Sequence, residues 1–335
     1  MDFFNNHRKL FVTATLFFVV LTIFVAILPA LHNQQINAPL PTAKALSPNA
    51  IKGKAVYVAN GCVACHTQQV RNIEMDNVWG QRPSLAADYA AIGRTDFWRN
   101  TATLMGTERT GPDLTDIGTR QPSKEWNLVH LYNPRIVVEQ SIMPPYPWLF
   151  DLKGTPEEGD VVVSIPEEFA PRDGRQVIAS KDVLYLIAYL QELKQAPLSE
   201  NVAPPDFLYK REAVSDKNTT TATPTKSDGQ ALYVAHCQSC HQANGQGLPG
   251  AFPPLKGSKI VQDDDLEKYI DIIMNGYDSR PEYSVMAAVG VNADFTADDV
   301  AAIINFERTS WGNKAKEVTA EEIKKIVDFV KLKAK

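Results

Sequence analysis

Cysteine is scarce in this chain: 335 residues contain four, at positions 62, 65, 237 and 240. No sulfur is left over for a structural disulfide elsewhere. A basic surplus is missing as well, since 34 Lys and Arg stand against 39 Asp and Glu, a net charge of −5. Without spare cations to replace phosphate counterions, nucleic acid is not an expected partner. The composition, 44% hydrophobic and 22% charged, excludes both wholesale disorder and a many-span membrane protein. The length is too great for one core and predicts two or three domains.

What is present is concentrated. All four cysteines fall in two words, "GCVACH" (61–66) and "HCQSCH" (236–241). The pattern C-x-x-C-H reads as covalent attachment of c-type haem. Two thiols one helical turn apart reach the two vinyl groups of one porphyrin as thioethers, and the adjacent imidazole then sits over the iron. A thioredoxin-like pair needs no histidine after it, and zinc needs four ligands gathered in one place. Cys62, Cys65 and His66 thus form one expected haem c site, and Cys237, Cys240 and His241 the other.

Residues 11–31, "FVTATLFFVVLTIFVAILPAL", carry no charge and as a helix would span about 31 Å, the hydrocarbon thickness of a bilayer. A cleaved signal peptide has an apolar region of about 7 to 15 residues and a small-residue cleavage site, which "LPALHNQ" presents poorly. The segment 1–31 is therefore expected to be a cytoplasmic N-terminus and uncleaved anchor. Arg8 and Lys9 precede the span, so the positive-inside rule sends the chain after Leu31 across the membrane. The expected location is a bacterial inner membrane, crossed once, with both haem words periplasmic.

Before each haem word the chain repeats itself: "GKAVYVANGCVACH" (53–66) aligns with "GQALYVAHCQSCH" (229–241) with one gap. Gly53, Tyr57 and Val58 match Gly229, Tyr233 and Val234. Ser47-Pro48 forms a helix cap with proline in the first turn, and Ser227-Asp228 starts the second copy. Farther on, "DVLYLIAYLQEL" (182–193) and "DVAAIINFERTSW" (299–311) both place apolar residues at helical spacing. The order helix, C-x-x-C-H, loop, Met, terminal helix, found twice, resembles the cytochrome c fold, in which first and last helices cross. The expected fold class is mainly α: one transmembrane helix followed by two cytochrome c-like domains, at 47–195 and 228–312. Between them, 196–227 reads as a linker rich in Thr, Ser and Pro, with a reach of about 30 Å if flexible. A small β-hairpin is expected inside the first domain, from Val161–Ile165 and Gln176–Ile178 around Asp173-Gly174. Residues 313–335 are expected to add a solvated, lysine-rich helical cover.

The position opposite each histidine separates an electron carrier from a catalyst. Where cytochromes c usually supply a thioether, the second domain offers Met286, while Met274 in "LEKYIDIIMNGY" fits core packing. The first domain offers Met75, Met105, His130 and Met143, of which Met143 in "SIMPPYP" has both the position and the Met-Pro word; His130 is the rival, and an imidazole there would lower the potential where methionine raises it. "GPDL" (111–114) and "FPPL" (252–255) look like the cytochrome c loop whose proline carbonyl accepts the axial imidazole proton. That resemblance points to Pro112 for His66 and Pro253 for His241. Two axial ligands per iron leave no open site for oxygen or peroxide.

Longer words in the first domain, "GCVACHTQQVR", "GTERTGPDL" and "HLYNPRIVVEQSIMPPYPWL", together with the anchor, resemble the membrane-anchored monohaem subunit, CcoO or FixO, of cbb3-type haem-copper oxidases. The resemblance runs to about residue 195. It implies an integral-membrane haem-copper catalytic subunit as partner, while the two C-x-x-C-H words predict two covalently bound haems c in this fusion and their filled axial positions predict no catalysis by the isolated chain. A family member ordinarily stops after one haem domain, whereas this chain adds a second. Electrons would pass from a soluble cytochrome c or similar donor to haem 2, then haem 1, then the membrane partner. Competing readings are the cytochrome subunit of a nitric oxide reductase or other membrane oxidoreductase, a tethered shuttle, and a di-haem peroxidase, the last needing an open iron site. Arg71, Arg109 and Arg135 are candidates for pairing with propionates or the partner subunit. Residues 228–311 hold 12 acidic and 5 basic side chains, and Asp263, Asp264 and Asp265 form a surface that would steer a basic donor.

Overall fold

The computed structural model describes residues 4–36, 38–41, 43–91, 104–106, 108–199, 202–208, 228–278, 280 and 282–333. Its first element is a helix over His7–Ile36, long and apolar enough to cross a membrane, with none of its central window buried by the rest of the chain. Asn6 caps it, its side chain accepting from Lys9 N at 3.1 Å. The helix is not uniform: Thr22–Ile27 widens into a π turn, and Leu28 N reaches back to Ile23 O. Pro29 explains this, because its ring crowds the carbonyl four residues earlier and it has no N–H to donate.

Each of two globular units is framed by a pair of crossing helices. In the first unit the opening helix Pro48–Ala59 begins at Ser47, whose hydroxyl accepts from Ala50 N, with proline in the first turn. It lies across the closing helix Lys181–Glu192, and Ser47 N donates to Glu192 Oε2 at 2.8 Å, tying the two ends together. In the second unit, Gly229–His236, capped by Asp228, crosses Ala297–Thr309, which starts with a full capping box at Thr296 and Asp299. The repeat now acquires a physical meaning. A methyl group at Gly53 would sit 1.8 Å from Tyr185 O, and one at Gly229 would sit 2.1 Å from Ala302 O. One turn on, Tyr57 meets Tyr189 edge-on at 5.5 Å, and Tyr233 meets Phe306 at 5.1 Å. The matched Gly and Tyr are therefore the crossing points of both helix pairs.

The sheet differs from the expected hairpin. Strand β1 (Phe150–Lys153) pairs antiparallel with β2 (Gln176–Ala179), in the register Phe150 opposite Ala179 and Lys153 opposite Gln176. The run expected as the first arm touches the other edge of β2 through one bridge, Val162 to Ile178, with Val163 N donating to Val177 O at 2.8 Å. Pro166 cannot donate and cuts that run short. Lys153 Nζ holds Asp160 at 2.9 Å, closing the loop that carries the chain from β1 round to Val161.

The expected cover at 313–335 is more than solvated surface. Within Ala320–Lys333, Ile323, Val327 and Val330 are buried and belong to the second core, alongside Tyr269, Ile270, Ile273 and Ile303. The segment expected to be a linker starts attached: Ala196 is buried, its N–H bonding Asp88 and its carbonyl accepting from Arg82, which forms a buried ion pair with Asp88 at 2.8 Å. Leu208 N bonds Asn72 Oδ1 at 2.7 Å. Residues 209–227 of the expected linker lie outside the described residues.

The two units touch. Leu248, Ala251 and Phe252 of the second are buried in the same apolar cluster as Leu128, Val129 and Leu186 of the first. Ser284 Oγ donates to Glu125 Oε2 at 2.6 Å, and Ser164 Oγ donates to Pro249 O at 2.7 Å.

Candidate functional site

The first site is assembled where the opening helix ends. Gly61 takes φ 68°, and the chain then coils tightly through Cys62–Ala64. Left-handed backbone of this kind favours glycine. The turn sets Cys62 and Cys65 on neighbouring positions and delivers His66 beneath the loop 108–115. His66 Nδ1 lies 2.8 Å from Pro112 O, a bond that orients the ring and leaves Nε2 free to meet a metal. Burial lowers the imidazole pKa against the opposing pull of Pro112 and Asp113. Space beside it is minimal: a methyl at Gly111 would lie 2.3 Å from His66 Cε1.

The loop is held by a buried carboxylate. Asp113 Oδ2 accepts from Thr67 Oγ1 and Gln69 N, each at 2.6 Å, while Oδ1 accepts from Thr115 N at 2.8 Å. Arg71 and Arg109 depart from their expected roles. Both converge on the buried Asp76, Arg71 with Nη2 at 3.1 Å and Arg109 through Nη1, while Arg109 Nε also donates to Thr67 Oγ1. The guanidiniums of the exposed Arg71 and the part-buried Arg109 hold the Asp76 carboxyl below its usual range against the burial that raises it. Arg135 remains exposed, its Nη1 3.4 Å from Met143 O.

Around the first site, Met143 is half-buried at the edge of the first core, as are Cys62, Val63, Trp126 and Tyr146. Burial, and behind it the nearby Cys62 and Cys65, raises the Tyr146 pKa. His130 stacks on Trp126 at 4.5 Å with the rings 12° apart. Its pKa falls to about 3, chiefly through burial and further through the charge of nearby His66. His130 Nδ1 and Trp126 Nε1 are both buried and hydrogen-bond nothing among the described residues. Two adjacent orphan nitrogens near His66 fit a site built for a polar group of a bound molecule, because leaving such groups unpaired is costly. Met75 is 71% exposed, and Met105 is tied to the loop by its carbonyl, which accepts from Gln68 N.

The second site repeats the first. After Gly229–His236 the chain coils through Gln238–His241, and the buried His241 places Nδ1 2.9 Å from Pro253 O. Gly247, at φ 63°, brings its backbone so close that a methyl would lie 2.3 Å from Phe252 O. Met286 is fixed by a reciprocal pair of backbone bonds with Tyr277, at 2.9 and 3.1 Å. Met274 is fully buried against Gly290, in the core. Cys237, Cys240, His241 and Met286 line one cavity of about 160 Å³, walled by apolar side chains such as Phe252, Leu255, Ile273 and Phe295. A largely apolar cleft with the imidazoles of His236 and His241, one thioether and two thiols on its walls fits a flat, apolar, iron-bearing macrocycle. Burial lifts the Cys62 and Cys240 thiols to about 11, so neither thiol is an ionised nucleophile at neutral pH. Among the described residues no three His, Cys, Asp or Glu side chains converge on a metal position.

Two features of the second cavity have no local signal in the sequence. Arg120 and Gln121 reach it from the first unit, and Glu307 lines it from the closing helix. Glu307 Oε2 accepts from Tyr269 OH, and burial pushes its carboxyl up to about 7.

Comparison with known proteins finds a separate family in each half of the chain. Residues 2–168 match the family described as cytochrome c oxidase, mono-heme subunit/FixO, and residues 227–332 match cytochrome c. Cytochrome c-552 of Thermus thermophilus is 38% identical over 113 residues, which cover 30% of this chain and 85% of that protein. The cytochrome c subunit of alcohol dehydrogenase (quinone) from Gluconacetobacter polyoxogenes is 31% identical over 158 residues, covering 46% of this chain. The fructose dehydrogenase cytochrome subunit of Gluconobacter japonicus is 27% identical over 164 residues, covering 45%. The match spans only 32% and 34% of those two subunits.

Proposed function

The chain belongs to the cytochrome c family, a FixO-type segment joined to a C-terminal cytochrome c domain, and on that premise we propose that it is a di-haem c electron-transfer subunit of a membrane-bound respiratory complex. One observation carries the reading: in both units the histidine that follows the cysteine pair turns Nδ1 to a proline carbonyl, at 2.8 and 2.9 Å. Such a bond fixes the tautomer in which Nε2 coordinates a metal.

Cys62, Cys65, Cys237 and Cys240 would hold two haems c as thioethers, with His66 and Met143 as axial ligands in the first unit and His241 and Met286 in the second. When bound, each haem supplies a one-electron ferric/ferrous couple. The chain's own residues do the rest. The prolines orient the imidazoles, Gly111 and Gly247 let backbone approach closely, and the apolar cavity walls exclude water and so favour a high potential. His130, with its orphan Nδ1 beside Trp126, serves in this reading as a hydrogen-bonding neighbour of the first haem rather than a ligand. Single-pass insertion of His7–Ile36, with Arg8 and Lys9 cytoplasmic, would put both units in the periplasm.

The preferred complex is a cbb3-type terminal oxidase, supported by the FixO match over the anchored segment. In it the chain passes electrons from a soluble donor to an integral-membrane haem-copper subunit. A second reading, the cytochrome subunit of a membrane dehydrogenase, is favoured by the similarity to the alcohol and fructose dehydrogenase subunits. Gentle solubilisation and native isolation distinguish them. Haem b co-purifying with oxygen uptake is the oxidase result, and nitric oxide uptake alone would move the complex to the reductase branch. A co-purifying dehydrogenase that reduces this chain with an alcohol or sugar overturns the oxidase reading.

A further inference from the structure

We propose that the contact between the two units is the junction through which the two haems exchange electrons, with Gln121 of the first unit seated on the thioether edge of the second site at Cys240. The proposal rests on reading both C-x-x-C-H words as haem c sites. The two corresponding cysteines differ in their surroundings: Cys65 is exposed, whereas Cys240 is half-buried. What covers Cys240 comes in part from the first unit. Gln121 Nε2 lies 4.0 Å from Cys240 Sγ, and Cys240 packs on the apolar cluster that joins Leu248, Ala251 and Phe252 to Leu128 and Val129. An edge occupied in this way offers no landing face to an external redox protein. Of the two thioether edges, the one at Cys65 stays open.

From Gln121 a bonded route leads to the first site. Its chain neighbour Arg120 donates through Nη2 to Asp113 O, and the preceding Pro112 turns its carbonyl to His66 Nδ1 at 2.8 Å. Apart from the 4.0 Å step between Gln121 and Cys240, every link from the second site's sulfur to the first site's imidazole is a covalent or hydrogen bond. Electron tunnelling weakens less through bonded atoms than across open space, which makes this the favoured course. One electron crosses: the iron that was ferrous becomes ferric, the one that was ferric becomes ferrous, and no bond is made or broken. The units are also held by contacts around this route. The helix Lys124–Tyr132 bears Trp126 and His130, which stand near the first site, and Glu125, which accepts from Ser284 Oγ of the second unit at 2.6 Å. Ser164 Oγ donates to Pro249 O at 2.7 Å, and Asn292 Nδ2 lies 3.5 Å from Thr119 O. The fold thus sets the second unit edge-first against the first.

The test is flash photoreduction of the oxidised full chain in detergent by a small soluble reductant, paired with photo-oxidation of the reduced chain, so that one of the two directions runs downhill. The second haem is identified by its loss when Cys237 and Cys240 are both replaced by Ala. In the unaltered chain the charge should redistribute between the haems at a rate independent of chain concentration. Leu248→Glu puts a carboxylate into the shared apolar cluster, and separation of the units relieves it. That variant should lose the concentration-independent phase and speed direct reduction of the second haem. Gln121→Ala, which leaves the apolar contact in place, should slow the redistribution and open the Cys240 edge to the reductant. Docking is read without the haems: after Ser284→Lys, a carbodiimide should join position 284 to Glu125, and adding Leu248→Glu should lose that cross-link. Redistribution that is absent or scales with chain concentration overturns the junction, as do a missing cross-link and rates that neither Leu248→Glu nor Gln121→Ala moves. If Leu248→Glu does not fold, Gln121→Ala decides alone. Fewer than two covalent haems in the unaltered chain would instead refute the reading on which the proposal rests.

Discussion

Glu307 is the residue whose chemistry most exceeds its sequence context. Burial raises its carboxyl from 4.5 to about 7, so between those values the folded chain holds a proton that the unfolded chain has lost. Its contribution to stability is therefore greatest below pH 4.5 and declines as pH rises through about 7, by roughly 3 kcal/mol across the window. Glu307→Gln should remove that decline, which thermal unfolding from pH 5 to 8 would register as a flatter profile. In the proposed di-haem reading, ionisation beside the second cavity would also favour ferric iron, so the second potential should fall as pH rises through the same range, and the Gln variant should not follow it. At Met286 the expectation is simpler. On the proposed ligand set, Met286→Ala would leave the second iron one ligand short, and added imidazole or cyanide should then shift the second haem's spectrum, whereas the unaltered chain should resist both. Ligand binding to the unaltered chain would argue for an open iron and revive the peroxidase reading.

Among the elements, the crossing helices carry each unit. Gly53→Ala would drive a methyl into the Tyr185 carbonyl, and Gly229→Ala into that of Ala302. Because the obstacle is backbone and not a flexible side-chain end, helix separation is the only relief, and several kcal/mol should be lost in the affected unit. The check is a melting curve for each variant read at the corresponding haem, with the other unit as internal control. These helices are legible in the sequence because caps, period and repeat all act locally: Ser47-Pro48, Asp228 and the stripes ending at Glu192 and Thr309 each announce themselves. The sheet is less so. "FDLK" is too short and too polar to read as a strand, and the loop after it is closed by the Lys153–Asp160 ion pair, a contact that no periodicity encodes. The π turn in the anchor comes from Pro29, whose effect falls on the preceding residues.

At the scale of the whole molecule, the haem words and their prolines can be read from order along the chain, but the meeting of the units cannot. Arg120 and Gln121 lie far ahead of Cys237 in a stretch, "IGTRQPSKEW", that looks like a polar loop. Likewise Arg71 and Arg109, read as candidates for propionates or a partner subunit, pair with Asp76, whose burial only the fold reveals. The acidic surface at 263–265 survives as exposed, with one refinement: Asp265 caps Leu266–Asn275, and its reversal would cost about 1 kcal/mol of helix stability as well. Asp263→Lys together with Asp264→Lys is the cleaner test. Reduction by a basic soluble cytochrome c should slow and lose much of its dependence on ionic strength; unchanged rates would assign the donor another face.

The helix crossings also set the timing of folding. The first unit must bring Ser47 to Glu192 across 145 residues, while the second joins Gly229 to Ala302 over about half that distance. Each doubling of a closing loop adds about 0.6 kcal/mol of entropic cost, and long-range closures slow the search. The unit synthesised later is therefore the quicker to close. Leu248, Ala251 and Phe252 then stand ready as a preformed wall while the first core is still collecting its distant ends.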